Sequence, residues 1–131
     1  MPKFGKASKA RLATCDDRLQ TILNSAIEIV DFTILEGHRT EERQNQMFHE
    51  GRSKLKWPSS KHNSSPSKAV DVAPYPIDWN DMPRFTYLAG IIRGIAHANG
   101  VKIRWGGDFN RDNNLSNDSF VDGPHLEIDE D

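Results

Sequence analysis

At 131 residues the chain is long enough for one domain with its own hydrophobic core and needs no covalent staples. Charged residues make up 27% of it, yet the net charge is only −2, which excludes a bulk field that would favour nucleic acid or an anionic membrane surface. Cys15 is the single cysteine, so an intramolecular disulfide is excluded and the fold does not call for an oxidising compartment. The basic start Met1-Pro2-Lys3-Phe4-Gly5-Lys6 has no apolar segment behind it, and no run is long enough to span a bilayer. The expectation is synthesis in the cytoplasm, with no signal peptide and no stable membrane insertion.

In chain order, residues 1–13 are basic and polar and read as a loosely held arm. Thr14-Cys15-Asp16-Asp17 has the form of a capping box, with Thr14 as N-cap and Asp17 three residues on. Leu19, Ile22, Leu23, Ala26, Ile27 and Val30 then keep the i, i+3, i+4 spacing of an amphipathic helix. Phe32–Leu35 is a short strand ended by Gly37, and a second helix is predicted over Glu41–His49, capped by Thr40 and closed by Gly51. Residues 52–68 are a long Ser/Lys/Pro/Asn loop, of the kind that is functional or disordered, and they deliver His62. Ala69–Ala73 reads as a buried strand stopped by Pro74 and Pro76. A third helix spans roughly 83–98, with Phe85, Leu88, Ala89, Ile92, Ile95 and Ala96 as its core stripe and Asn99-Gly100 as its stop. Val101–Trp105 alternates as a strand, 106–120 is a Gly/Asp/Asn/Ser loop, and His125–Ile128 is the last strand. Three helices with a few short strands define a single α+β domain whose sheet is mostly antiparallel.

Two stretches carry chemistry. Ser60-Lys61-His62 leads to Ala69-Val70-Asp71, and Asp122-Gly123-Pro124-His125 follows far downstream. Two imidazoles and a carboxylate suffice for three of the four tetrahedral positions of Zn²⁺, leaving the fourth to a water whose pKa the metal lowers. Asp122, three residues before His125, is placed to act as general base on that water. Taken alone, His62 is an exposed loop histidine. Asp71 weighs against that, because an unpaired carboxylate on a buried strand costs several kcal/mol and a metal removes the cost. A buried salt bridge from Asp71 to Arg39 or Arg104 is the competing explanation. His38, His49 and His97 read as surface or satisfied core histidines.

These residues, with Phe4–Ser8, Gly37-His38-Arg39-Thr40, Ala73-Pro74-Tyr75, Ile77–Asp81 and Arg104–Asp108, resemble the zinc peptidases of bacterial cell walls. That family contains D-alanyl-D-alanine carboxypeptidases and dipeptidases and the phage L-alanyl-D-glutamate endopeptidases. The likeness is greatest to the phage endolysin branch, and it runs in order along nearly the whole chain. The resemblance implies a hedgehog/DD-peptidase-like fold forming one catalytic domain over 1–131, with no separate cell-wall-binding domain. It implies one Zn²⁺ held by His62, Asp71 and His125, with Asp122 as catalytic acid/base. Arg39 matches an arginine that binds substrate and stabilises the oxyanion; a structural ion pair explains it equally well. Ser60 orients either the substrate or its own loop, and a plain loop hydroxyl explains it equally well. Tyr75 and Trp105 either line the substrate groove or pack into the core. The His62–Asp71 interval is nine residues, with Pro66 inside it, and reads as a two-residue loop insertion relative to the family pattern.

The implied activity is hydrolysis of a stem-peptide bond of peptidoglycan, L-Ala–D-Glu before D-Ala–D-Ala, by a monomer that a holin releases from the host cytoplasm to the periplasmic wall. Two other classes stay open: a zinc-containing wall-binding module without catalysis, and a two-carboxylate muramidase using Glu36 and Asp71. Asp108, Asn110, Asp112, Asn114 and Ser116 also place an oxygen at alternate positions, as in a Ca²⁺ loop. Asn113 at the sixth place and Ser119 at the twelfth depart from that pattern, and a solvated Asx-rich loop accounts for the run as well.

Overall fold

The computed structural model describes residues 2–108, 111, 113 and 122–130. Helices α1 (Lys6–Leu12) and α2 (Asp17–Ala26) precede strand β1 (Phe32–Glu36) and helix α3 (Glu41–His49). A 3₁₀ turn at Lys61–Asn63 leads into β2 (Ala69–Pro74), followed by α4 (Met82–Ala98), β3 (Ile103–Trp105) and β4 (His125–Ile128). The four strands form one sheet in the order β1-β2-β4-β3, antiparallel at every pairing. The α+β reading therefore holds, as do α3 and its Thr40 cap, and the strand and helix from 69 to 98 fall within a residue or two of their expected ends.

Period-two alternation divides the sheet into a core face and a site face. Ile34, Val70, Val72, Ile103, Trp105, Leu126 and Ile128 are all buried in the core. Leu19, Ile22, Leu23 and Ala26 of α2 join them there, as do Phe85, Leu88, Ala89, Ile92 and Ala96 of α4. Asp71, Arg104, His125 and Glu127 occupy the intervening positions and share the other face.

Two expectations at the N-terminus change. Residues 6–12 form α1 instead of a loose arm, because Phe4, Ser8 and Leu12 dock on β1. Phe4 packs edge-on to Phe32 at 5.2 Å. Ser8 Oγ accepts the Ile34 amide at 3.0 Å and Arg11 donates to the Ile34 carbonyl at 3.0 Å. The helix thereby covers the open edge of the sheet, which would otherwise expose unpaired backbone groups. So few inward positions give no periodic signal; docking forms this helix. The cap of α2 is Asp16, which accepts from the Arg18 amide at 2.9 Å. Thr14 donates to the Arg11 carbonyl and accepts the His38 amide instead, tying α1 to the β1–α3 turn.

Gly37 sits in that junction. A Cβ there would collide with Thr14 Oγ1 and lie 2.6 Å from the Arg11 carbonyl oxygen and 2.9 Å from Cys15 Sγ. Gly37→Ala is expected to cost about 1–3 kcal/mol, the usual range for forced overpacking. A denaturant midpoint equal to wild type would show that the junction yields without strain.

Candidate active site

Strand register assembles the site. Asp71 of β2 lies directly opposite His125 of β4. On its other side, the β1–β2 register shifts between Ile34 and Glu36, so that Glu36, and not Leu35, pairs with Asp71. A bulge re-aims a side chain in this way by adding one residue to one strand. Arg104 of β3 pairs with Glu127 of β4. One row across the sheet therefore carries Glu36, Asp71 and His125, with Glu127 two residues along.

The loop at 52–68 brings His62 to this row. Ser60 caps the 3₁₀ turn, accepting the His62 amide at 3.2 Å, while Asn63 Oδ1 accepts the Ser60 amide at 3.1 Å. The Arg39 amide donates to the His62 carbonyl at 2.7 Å. Gln44 is fully buried and acts as the hub. It accepts from Arg39 Nη1 at 2.9 Å and Asn63 Nδ2 at 3.3 Å, and donates to Ser53 Oγ at 2.9 Å and the Leu55 carbonyl at 2.6 Å. The nine-residue His62–Asp71 interval thus leaves the two side chains in contact, with His62 Nε2 3.1 Å from Asp71 Oδ1.

The ligand atoms of His62, Asp71 and His125 all lie within 4.8 Å of one another. Their hydrogen bonds decide what the cluster can hold. His62 Nδ1 donates to the Gly37 carbonyl at 2.8 Å, which leaves the Nε2 lone pair facing Asp71 Oδ1. His125 Nε2 donates to Glu127 Oε1 at 2.8 Å, leaving Nδ1 facing Asp71 Oδ1 at 3.3 Å. Two imidazole lone pairs and a carboxylate oxygen meeting at one point repel unless a cation lies among them. A proton is one solution. Although burial opposes charge on His125, its bonds to Asp71 and Glu127 raise its pKa to about 9. Burial likewise pushes against charge on Asp71, yet the His62 and His125 rings hold its carboxyl far below the usual range. A divalent metal is the other solution. The two outward ring bonds are the supports that orient metal-binding imidazoles.

Asp122 stands in the same groove, on the turn that precedes His125. Burial and then the negative charge of Asp71 raise its pKa, the direction expected of a carboxyl that exchanges protons. Gly106 holds the segment from both ends, its amide donating to the His125 carbonyl at 2.7 Å and its carbonyl accepting the Asp122 amide at 2.8 Å. A Cβ on Gly106 would strike the Asp122 carbonyl oxygen.

Arg39 is only 5% exposed. It binds Glu36 Oε1 through Nη2 at 2.8 Å and lies 3.6 Å from Asp71 Oδ2 while lining the groove. It is therefore an ion-paired residue beside the cluster, as the structural explanation expects, and its position in the groove wall leaves it beside any bound substrate. Ser60 is buried as a cap, and orienting the loop is its visible task. Trp105 does not line the groove: it is 4% exposed, and its Nε1 donates to the Gly123 carbonyl at 2.7 Å, beneath the Asp122–His125 turn. Its alternation on β3 turns it to the core face. Tyr75 is exposed outside the groove. Of the proposed calcium ligands, Asn110, Asp112, Asn114 and Ser116 lie outside the described residues; Asp108 is buried, with Oδ2 accepting the Asn113 amide at 2.9 Å.

Sequence reasoning missed Gln44 and Glu127, gave Trp79 no role of its own, and named Glu36 only as half of a muramidase pair. Glu127 was within reach, two residues from His125 on an alternating strand. Glu36 was hidden by the bulge, and Gln44 by the absence of any pattern in the loop it pins.

The groove measures about 790 Å³. A small α+β domain whose groove holds a His–Asp–His cluster able to hold a metal ion, beside a perturbed carboxyl, has the form of a hydrolase site. The sequence model of the phage L-alanyl-D-glutamate peptidases matches residues 1–128, and the chain belongs to that family. It is 37% identical to the L-alanyl-D-glutamate peptidase of Escherichia phage T5 over 135 aligned positions, covering 96% of this chain and 97% of that one. The crystal structure of the Serratia marcescens L-Ala D-Glu endopeptidase ChiX superposes with a TM-score of 0.78 at 26% identity, over 97% of this chain and 90% of that one.

Proposed function

We propose that the chain is a zinc-dependent peptidase that hydrolyses the L-Ala–D-Glu bond of peptidoglycan stem peptides in phage-driven lysis. The observation that carries this reading is the convergence of His62 Nε2, His125 Nδ1 and Asp71 Oδ1 in the groove that Asp122 also lines. Family membership supports the peptidase activity and the bond. The donor set of two nitrogens and one carboxylate oxygen suits zinc.

His62, Asp71 and His125 would hold the metal, which supplies a Lewis acid and acidifies a water when bound. Asp122 takes the proton of the attacking water on its carboxylate and returns it to the leaving amine nitrogen. Arg39, held flat by Glu36 and Gln44, sets its positive charge where the carbonyl oxygen becomes anionic. Gln44 and Ser60 keep the His62 loop in place during both steps.

Arg39→Lys is expected to lower kcat about tenfold or more, because an ammonium cannot reproduce the fork that spans Glu36, Gln44 and Asp71. Unchanged turnover would reduce Arg39 to a replaceable charge.

The same reading has the enzyme made in the host cytoplasm and reaching the wall as a monomer through a holin; the phage origin of the family supports it. Periplasmic protein after expression without lysis genes would count against it. Among the described residues no helix is long and apolar enough to cross a membrane. Calcium at the 106–120 loop has one support, the buried Asp108 Oδ1 with no hydrogen-bond partner among the described residues. A melting temperature indifferent to Ca²⁺ would remove it.

The muramidase alternative loses its pair. Glu36 is ion-paired to Arg39 and Arg43, and Asp71 is held ionised between two imidazoles. Neither is placed to donate a proton to a glycosidic oxygen.

The test is digestion of purified peptidoglycan with and without a zinc chelator, with products read by mass spectrometry. New D-Glu amino termini that vanish with chelator are expected. Release of D-Ala would move the reading to a carboxypeptidase, chelator-resistant cleavage would overturn zinc, and zinc-dependent wall binding without cleavage would leave a binding module.

A further inference from the structure

An exposed apolar surface beside the groove lies on the segment between β2 and α4. Trp79 is 60% exposed and lines the groove itself, with Met82 39% exposed nearby in sequence. The indole is stacked on the buried Phe85 ring, with centroids 6.1 Å apart and planes 22° from parallel. One face is therefore backed by the core and the other is open. Phe85 and Met82 in turn pack against Gly123, at 3.5 and 3.4 Å from where a Cβ would stand, in the turn between Asp122 and His125. The platform thus abuts the segment that carries the acid/base and a metal-site imidazole.

The segment is pinned by hydrogen bonds. Arg84 donates from Nη1 to the Pro76 carbonyl at 2.6 Å and from Nη2 to the Tyr75 carbonyl at 3.0 Å. Asp78 accepts the Asn80 amide, and Asp81 caps α4. A buried indole would need no such framing, and an exposed one without purpose costs solubility. A flat, backed aromatic face flanked by the exposed polar side chains of Asp78 and Asn80 suits a pyranose ring, whose axial C–H groups stack while its hydroxyls and acetamido group bond at the edge.

The chemistry of the wall supplies such a ring next to the scissile peptide: the L-Ala amino group of a stem peptide is acylated by the lactyl ether of an N-acetylmuramyl residue. We propose that the open face of Trp79 is a subsite for the amino-sugar ring next to the scissile bond, so that the enzyme reads the glycan as well as the peptide. The inference rests on the wall-peptidase reading above and deepens it.

The test compares kcat/KM on two substrates carrying the same stem peptide, one attached to an N-acetylglucosaminyl-N-acetylmuramyl disaccharide and one free of sugar. Wild type is expected to favour the sugar-bearing substrate. In Trp79→Ala the ratio of the two constants is expected to fall about tenfold, mainly through KM, and Trp79→Phe is expected to restore most of it. A ratio equal to wild type in Trp79→Ala overturns the subsite, as does a ratio lost equally in the Phe variant. Self-association of wild type that Trp79→Ala abolishes, with the ratio unmoved, would make the patch a face between copies of the chain. Binding of the disaccharide-peptide to the Asp122→Asn protein, followed by titration calorimetry, gives a readout independent of turnover; about tenfold weaker binding in the Asp122→Asn, Trp79→Ala double variant is expected, and equal binding overturns the proposal. If wild type cleaves neither substrate, the peptidase reading has failed, which is a different result from an unchanged ratio.

Discussion

Asp122→Asn is expected to lower kcat by about 10²–10⁴, the usual contribution of a positioned general acid/base, while fold and metal content stay at wild-type levels. The substitution keeps the shape of the side chain and removes its capacity to accept and return a proton. Its backbone bonds, to Gly106 and to the His125 amide, are untouched by the change. Burial and the charge of Asp71 are what raise its pKa, so an amide is also easier to accommodate there than the carboxylate it replaces. Steady-state kinetics on purified wall, paired with metal analysis, would separate the outcomes. Activity near wild type would take Asp122 out of the mechanism and leave proton transfer to solvent. Lost metal would make it a structural support of the site.

His125→Ala should abolish activity and metal retention together. Removing this imidazole leaves Glu127 without its Nε2–H donor and Asp71 with one histidine instead of two. Glu127 remains bound to Arg104 at 3.1 Å and Lys61 at 3.4 Å, so the fold should survive. A melting transition with metal present should fall toward that of metal-free wild type, because binding energy that depends on the folded site is stability. Full metal content in this variant would refute the ligand assignment.

The metal-free protein carries a pH signature of its own. The His125 pKa is raised in the fold from 6.5 to about 9, so its contribution is fully present below 6.5 and is lost as pH rises through about 9. Metal uptake displaces that proton, so affinity should rise with pH over the same window while metal-free stability falls. Calorimetry in buffers of different ionisation enthalpy would show the released proton, and its absence would mean that His125 is already neutral before metal enters.

Much of this protein was readable from its residues because the relevant signals are local. The apolar spacing of α2 and α4, the Thr40 cap and the alternation of β3 and β4 each report on neighbours within a few positions, and such patterns survive into the fold. His62, Asp71, His125 and Asp122 could be singled out because their residue types and order resemble one family.

What tertiary structure alone decided is how those residues meet. The β1 bulge puts Glu36 beside Asp71, and no feature of Phe32–Glu36 announces it, since register depends on the partner strand. Helix α1 exists because the sheet edge needs covering; its seven residues are too few to be stable alone. Trp105 went to the core and Trp79 to the groove because the face a side chain occupies is set by strand register and by what lies beneath. An indole reads the same in a sequence whether it is backed by Phe85 or bonded to the Gly123 carbonyl. Periodicity determined most of the elements, and residue types in a family-like order marked the donor atoms; pairing across the sheet, a long-range choice, brought them together.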